Sequence, residues 1–351
     1  MSETVLVTGG EGFIGSQVVD LLAEAGREVR VIDNLHPAAH SHRPEYLNPG
    51  ADYLEIDLEL PDSLESALEG VTAISHQAAM VGLCKDFGDA EDYVSANCLG
   101  TARLLSALSR AQFSGPLVLA SSMVVYGEGG YGCADHGSVR PLARSREDLA
   151  AGLFEPRCPV CSAPLDPCSV TEDAPTDPRS VYAATKLHQE HLCSLFAREN
   201  ESVSYTALRY HNVYGPRMPR DTPYAGVASI FRSSLESGDA PRVFEDGSQI
   251  RDFIHVRDVA RANLLALDAA PERAGVYNVA SGRPRPLLDM AALLAEASGK
   301  DAPAPKITGE FRLGDVRHVF ADAASAREGL GFEAEVELEE GMAEFAHAPL
   351  R

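Results

Sequence analysis

The chain has 351 residues, 45% of them hydrophobic, enough for a large core and for two domains or one α/β unit with an attached lobe. Its net charge of -22 at pH 7 opposes non-specific binding to nucleic acid or an anionic membrane, so an anionic ligand needs a local arginine cluster. Seven cysteines, no apolar run near the roughly 20 residues of a membrane span and no leader-like start after Met1 predict a cytoplasmic protein with reduced thiols.

Thr4-Val5-Leu6-Val7-Thr8 is apolar and β-branched enough for a buried strand, and Ser16 to Glu24 follows with helical spacing at Val18, Val19, Leu21 and Leu22. Between them, Gly10, Gly12 and Gly15 satisfy G-x-G-x-x-G, while Gly9, Gly12 and Gly15 give a wider G-x-x-G-x-x-G. A turn without side chains there, running into Phe13 and Ile14, leaves room for a pyrophosphate on the N–H groups that begin the helix. A second strand, Glu28 to Ile32, ends at Asp33 about 20 residues after the glycines, where a carboxylate would accept from the adenosine ribose hydroxyls. Such an acid disfavours a 2′-phosphate, so NAD is expected rather than NADP; the alternative is that Asp33-Asn34 is only a turn.

Further strands are predicted at Tyr53 to Ile56, ending at Asp57 where it could meet the adenine edge, at Val71 to His76 and at Pro116 to Ser122. Helical patterns separate them. The expected fold class is therefore α/β, a doubly wound parallel sheet of the Rossmann type. Farther along, Tyr182 and Lys186 in Tyr182-Ala183-Ala184-Thr185-Lys186 share a helix face, so the ammonium would lower the phenol's pKa from about 10 and make a general base. The plain alternative is a pair of unrelated surface residues.

With these elements in place the sequence resembles the extended short-chain dehydrogenase/reductases, specifically the NAD-dependent nucleotide-sugar epimerase/dehydratase family. The resemblance rests on the glycine turn, Asp33-Asn34-Leu35, His76-Gln77-Ala78-Ala79, Asn97-Cys98-Leu99-Gly100-Thr101, Ser121 to Gly127, Tyr182 to Lys186, Arg209 to Arg217, Arg251 to Val256 and Tyr277 to Gly282. It implies Ser122 as the active-site hydroxyl, Tyr182 as the base and Lys186 as the residue that holds the cofactor. It implies NAD contacts at Gly9, Gly12, Phe13, Ile14, Gly15, Asp33, Asn34, Asp57, Leu58, Gln77, Ala78, Ala79, Asn97, Tyr182 and Lys186.

A nucleotide-diphosphate sugar is the implied substrate, with contacts at Ser122, Met123, Tyr182, Asn212, Arg251 and Arg312, and with Arg217 and Arg317 as further candidates. Guanidinium groups suit diphosphate oxygens. The same resemblance places an NAD-binding domain at residues 1–212 and 252–270 and a smaller C-terminal substrate-binding lobe at 213–251 and 271–351. It also implies a homodimer, built on the helix after Asp92 and the helix bearing Tyr182. The acidic run Glu333 to Glu340 reads as a solvated face.

Within that family, the 4,6-dehydratases carry an Asp-Glu pair directly after the hydroxyl residue, and the decarboxylases usually carry a glutamate at the second of those positions. Here they are Met123 and Val124, which supply no protons. The remaining chemistry is 4-epimerisation: hydride leaves C4, the ketone turns over, and the hydride returns to the opposite face. A ketoreductase, often NADPH-dependent, is the alternative enzyme, disfavoured by Asp33. A non-catalytic NAD-binding protein would typically have lost the tyrosine or the lysine, and both are present.

Ser122 and Tyr182 stand 60 positions apart, farther than in most epimerases of this kind, because an insert occupies residues 128–170. It holds four of the seven cysteines, and Cys158-Pro159-Val160-Cys161 has the spacing of a zinc knuckle. Cys133 and His136 repeat that spacing, so Cys133, His136, Cys158 and Cys161 could form a structural zinc site, with Cys168 as an alternative ligand. The competing readings are a loop with free thiols and, with no thioredoxin-like context to favour it, a redox pair. Phe154 to Cys161 and Gly314 to His318 resemble the subgroup of dTDP-L-rhamnose 4-epimerases, implying conversion of dTDP-L-rhamnose to dTDP-6-deoxy-L-talose, with UDP-hexose 4-epimerisation as the rival.

Overall fold

Apolar runs along the early strands send successive side chains to opposite sides and so build two helix-covered faces on one sheet. The computed structural model describes residues 3–37, 39–40, 42–60, 64–82, 87–220 and 226–350; Cys84 lies outside them. The sheet strands are β1 (Thr4–Thr8), β2 (Glu28–Asp33), β3 (Ala51–Glu55), β4 (Val71–His76), β5 (Gly115–Ser122), β6 (Val203–Tyr210) and β7 (Val276–Val279). They lie in the order β7-β6-β5-β4-β1-β2-β3, and every pairing is parallel. The expected doubly wound sheet is thus present, and its order reverses between β1 and β4. A crevice opens there, beyond the carboxyl ends of the strands.

The longer helices are α1 (Phe13–Glu24), α2 (Gly100–Arg110), α3 (Val181–Glu199), α4 (Val227–Glu236), α5 (Val256–Asp268), α6 (Leu287–Ala297), α7 (Ala324–Leu330) and α8 (Leu338–Phe345). Val5, Val7, Val29, Val31 and Val118 pack against Val18, Val19 and Leu22 of α1, Val259 and Ala262 of α5, and Ala326 of α7. The intervening Leu6, Ile32, Leu117 and Leu119 point the other way, to Leu104 and Leu108 of α2 and Phe196 of α3. This is the period-two pattern of a sheet buried on both faces.

A separate core of Phe231, Met290, Leu294, Met342 and Phe345 joins α4, α6 and α8 beside the sheet. The chain returns to the main sheet at β7, inside the stretch that the sequence reading assigned wholly to the lobe. That strand reads as a lobe segment in sequence because its partner, β6, lies more than sixty residues earlier. Among the described residues no helix is long and apolar enough to cross a membrane.

One buried charge pair sets how α3 lies on the sheet. Arg209 of β6 donates from Nε and Nη2 to the two carboxylate oxygens of Glu190 at 2.9 and 2.8 Å, and both residues are buried. Ser121 of β5 donates to the same carboxylate, and Arg209 Nη1 donates to the Tyr126 hydroxyl at 2.9 Å. The Glu190 carboxylate and the Arg209 guanidinium are thus both partnered. Replacing Arg209 with leucine strands the Glu190 carboxylate, and urea unfolding should show a loss of about 3–5 kcal/mol; a loss below about 1 kcal/mol, the usual worth of an exposed pair, would contradict this role.

Candidate active site

The glycine turn is closed so tightly that side chains have no place in it. A Cβ on Gly9, whose φ is +66°, would stand 2.7 Å from the Ala78 backbone, and one on Gly15 would stand 2.2 Å from the Gly9 carbonyl oxygen. Gly12 precedes α1 as its cap without a side chain to offer, and the first turn holds no acid, so the helix's positive end is left for an anion. This cradle fits the pyrophosphate of a dinucleotide. At the end of β2, the Asp33 carboxylate is held by the N–H groups of Glu11 at 3.1 Å and Leu35 at 3.0 Å, and it borders the same cleft.

That cleft has a volume of about 1560 Å³ and runs from the glycine turn, over the ends of β1, β4 and β5, to the lobe. Gly9, Gly12, Phe13, Ile14, Gly15, Asp33, Asn34, Asp57, Leu58, Gln77, Ala78 and Ala79 border its cofactor half. Gln77 does so while its side-chain amide is committed beneath the floor, donating to Ser75, Tyr210 and Asn263. Asn97 is corrected in role. It sits in a π-helical turn, Val94–Leu99, fully buried behind the wall, where it pairs with both backbone groups of Met80 and donates to Thr185.

Ser122 ends β5 and Tyr182 begins α3, whose start is capped by Ser180 accepting from the Ala183 N–H at 3.1 Å. Both hydroxyls border the cleft. Burial pushes the Tyr182 phenol up to about 12, and only the Ser122 hydroxyl opposes that shift. The expected lowering by Lys186 is therefore not present in the cofactor-free cleft. Lys186 Nζ instead donates to the Ala120 carbonyl at 2.8 Å, and burial pulls it down to about 7, so much of its positive charge is lost near neutrality.

At the lobe end, Arg251 donates from Nη1 to the carbonyls of Ile250 and Arg317 at 2.8 and 2.9 Å, and from Nη2 to that of Val316 at 2.7 Å. No carboxylate forms an ion pair with it among the described residues. Its buried charge, with its pKa lowered by desolvation, is suited to an incoming anion. Arg312 stacks on Phe244 at 5.2 Å and borders the cleft, and Asn212 offers a buried Oδ1 without a partner. Arg217 and Arg317 are corrected: neither borders the cleft. Arg217 pairs with Asp20 at 2.8 Å over the Tyr46 ring, and Arg317 is fully buried among Glu155, Glu245 and Asp246.

Beside Ser122 the wall is made by Met123 and Val124, with Met80 and Val81 near by. No carboxyl group occupies those two positions, so that stretch offers no acid or base of its own. Glu190, Arg209 and Thr185 act on the site from below and were missed in the sequence. The spacing of Tyr182, Lys186 and Glu190, each four apart on α3, was the available signal.

A family model described as the NAD dependent epimerase/dehydratase family matches residues 5–147 and 161–280. A dTDP-L-rhamnose 4-epimerase of Burkholderia thailandensis is 34% identical over 97% of this chain and 93% of its own length. Among solved structures, the UDP-glucose 4-epimerase of Thermotoga maritima with UDP-glucose superposes with a TM-score of 0.77 at 32% identity, covering 98% of this chain and 97% of that one. The Thermus thermophilus UDP-glucose 4-epimerase complex with NAD does so with a TM-score of 0.74 at 29% identity, covering 98% and 97%. With its parallel sheet, open helix start and Ser-Tyr-Lys group, the chain belongs to the NAD-dependent epimerase/dehydratase family.

The buried lysine gives a pH-dependent prediction for protein stripped of cofactor. Holding Lys186 charged costs stability in full below its folded value near 7, and the cost shrinks as pH rises toward the ordinary lysine range. Lys186→Met should therefore melt above the wild type at about pH 6, with a smaller gap at about pH 9. An equal gap at both values, or a lower melting temperature at the acidic one, would show that burial does not depress this lysine.

Proposed function

We propose that the protein is an NAD-dependent nucleotide-sugar 4-epimerase that interconverts dTDP-L-rhamnose and dTDP-6-deoxy-L-talose. The observation that carries the reaction class is the Ser122–Tyr182 hydroxyl pair above Lys186, facing the glycine cradle across one cleft. The glycine cradle and Asp33 would hold NAD, which would supply a reversible hydride acceptor beside sugar C4.

The chain's own groups handle the proton and the pose. Ser122 donates a hydrogen bond to O4, and Tyr182 takes the O4 proton on oxidation and returns it on reduction. A phenol pushed up to about 12 needs a neighbouring positive charge before it can act as that base. Lys186 is the side chain in position to provide it once ligands reorganise its contact with Ala120. Arg251, Arg312 and Asn212 hold the diphosphate while the 4-keto sugar turns over between oxidation and reduction. The apolar wall of Met123 and Val124 leaves this turnover without a competing elimination.

The choice of sugar is supported by the Burkholderia thailandensis relative and by the Phe154 to Cys161 and Gly314 to His318 runs. The likeness to the Thermotoga maritima enzyme favours UDP-hexose as the second reading. A homodimer through α3 and the helix preceding α2 is supported by exposed Val94, Leu99 and Leu195 on those two elements. The six described cysteines are unbridged, which suits a reducing cytoplasm.

Purified protein, given dTDP-L-rhamnose and UDP-galactose separately without added NADH, should convert the first, as read from the C4 proton by NMR. Conversion of UDP-galactose alone would transfer the proposal to the hexose reading, and a requirement for added NADH would replace epimerase with reductase. Tyr182→Phe should lower kcat by about 10²–10⁴-fold; an unchanged kcat would remove Tyr182 from the mechanism.

A further inference from the structure

The 128–170 insert folds as a small unit with almost no apolar core. Its strands Gly130–Cys133, Gly137–Ser138 and Asp166–Cys168 pair antiparallel over a buried cluster of Tyr131, Cys133, Cys158 and Leu165, with Val139 against them, while the insert's other large buried apolar side chains, Leu149 and Val170, lie outside that cluster. So little buried apolar surface does not hold a unit of this kind together, and small units of this sort use a disulfide or a metal. None of the described cysteines is bridged.

At the centre of the unit, Cys133, His136, Cys158 and Cys161 bring one ligand atom each to within 4.8 Å of one another. Cys133 Sγ lies 3.4 Å from His136 Nδ1 and 3.7 Å from Cys161 Sγ, and Cys158 Sγ lies 3.6 Å from His136 Nδ1. A tetrahedral zinc with bonds of about 2.3 Å to sulfur and about 2.0–2.1 Å to nitrogen requires edges of about 3.8 Å between sulfurs and about 3.6 Å between sulfur and nitrogen. Three of the six edges match these lengths closely, and the other three lie within 4.8 Å.

The backbone supports the same reading independently. The chain reverses tightly after Cys158, whose N–H donates to the Ala163 carbonyl at 2.8 Å while its carbonyl accepts from Ser162 at 2.9 Å, with Ser162 at φ +61°. Cys168, the alternative ligand, is excluded by register: it pairs with Gly130 on the sheet edge and stays out of the cluster.

We propose that Cys133, His136, Cys158 and Cys161 bind one zinc ion as a closed structural site. Four protein ligands leave no position for water or substrate, and none of the four borders the cleft. The ion ties the Cys133 strand to the Cys158 turn, and the residues between and beside them grip the lobe. Tyr131 accepts from the His318 N–H at 3.1 Å, and Glu155 accepts from Arg317 and His318. The gripped segment, Val316–His318, includes two of the three carbonyl groups that aim Arg251. Zinc thereby stiffens the wall that presents Arg251 to the cleft.

The test is elemental analysis of untagged protein, produced with zinc available and desalted over a weak chelator. One zinc per chain is expected, released by an organomercurial in step with thiol modification; Cys168→Ser keeps it and Cys158→Ser loses it. Limited proteolysis should spare residues 128–170 in the zinc form and cut there once zinc is removed, with the rest of the chain intact. If Cys158→Ser does not fold, zinc content and release in the wild type decide the matter. Wild-type protein without stoichiometric zinc, and unable to take it up on dialysis, would overturn the proposal, as would a disulfide among these cysteines in freshly purified protein. Neither readout depends on which sugar is turned over.

Discussion

The meeting of Ser122 and Tyr182 hangs from the buried Glu190–Arg209 pair. Ser122 sits at the end of β5 and Tyr182 at the start of α3, two elements distant in sequence that must meet within hydrogen-bond reach. Glu190 lies two helical turns beyond Tyr182 on the same face, with Lys186 between them. Binding Glu190 to Arg209 on β6 and to Ser121 on β5 fixes the axial position of the helix against the strand next to Ser122. A buried ion pair is a poor source of net stability compared with apolar packing, but it discriminates sharply against misplacement. Here a slip of one helical turn would leave two charges without partners.

Charge is handled by the same logic at the other end of the cleft. The chain carries a large negative excess, yet Arg251 points only at backbone carbonyls, while nearby arginines are consumed by acids. Arg317 and Arg144 neutralise Glu245, and Arg317 also takes Asp246 and Glu155. Those pairs occupy three of the acids near Arg251, while Glu128 and Asp315 still act on it through space.

Much of this was legible in the sequence, where the information is local. The glycine turn, Asp33 at the end of β2, and the Tyr182–Lys186 spacing are short-range patterns set by strand and helix geometry. Residues whose role depends on distant partners were not legible. Nothing local separates Arg251 from Arg317, although one borders the cleft and the other is fully buried. Asn97 reads as a cofactor contact, but a π-helical turn swings it into the wall. The direction of the Tyr182 shift also escaped, because helix spacing reports proximity to Lys186 and is silent on burial.

In the proposed reaction, hydride taken from C4 returns to the same carbon within one cleft. The direct measurement uses dTDP-L-rhamnose carrying deuterium at C4, converted in ordinary water by the purified protein with no added reduced cofactor. The expected product is a C4 epimer that keeps its deuterium, because the hydride never exchanges with solvent. Product that has lost the label to water would contradict it.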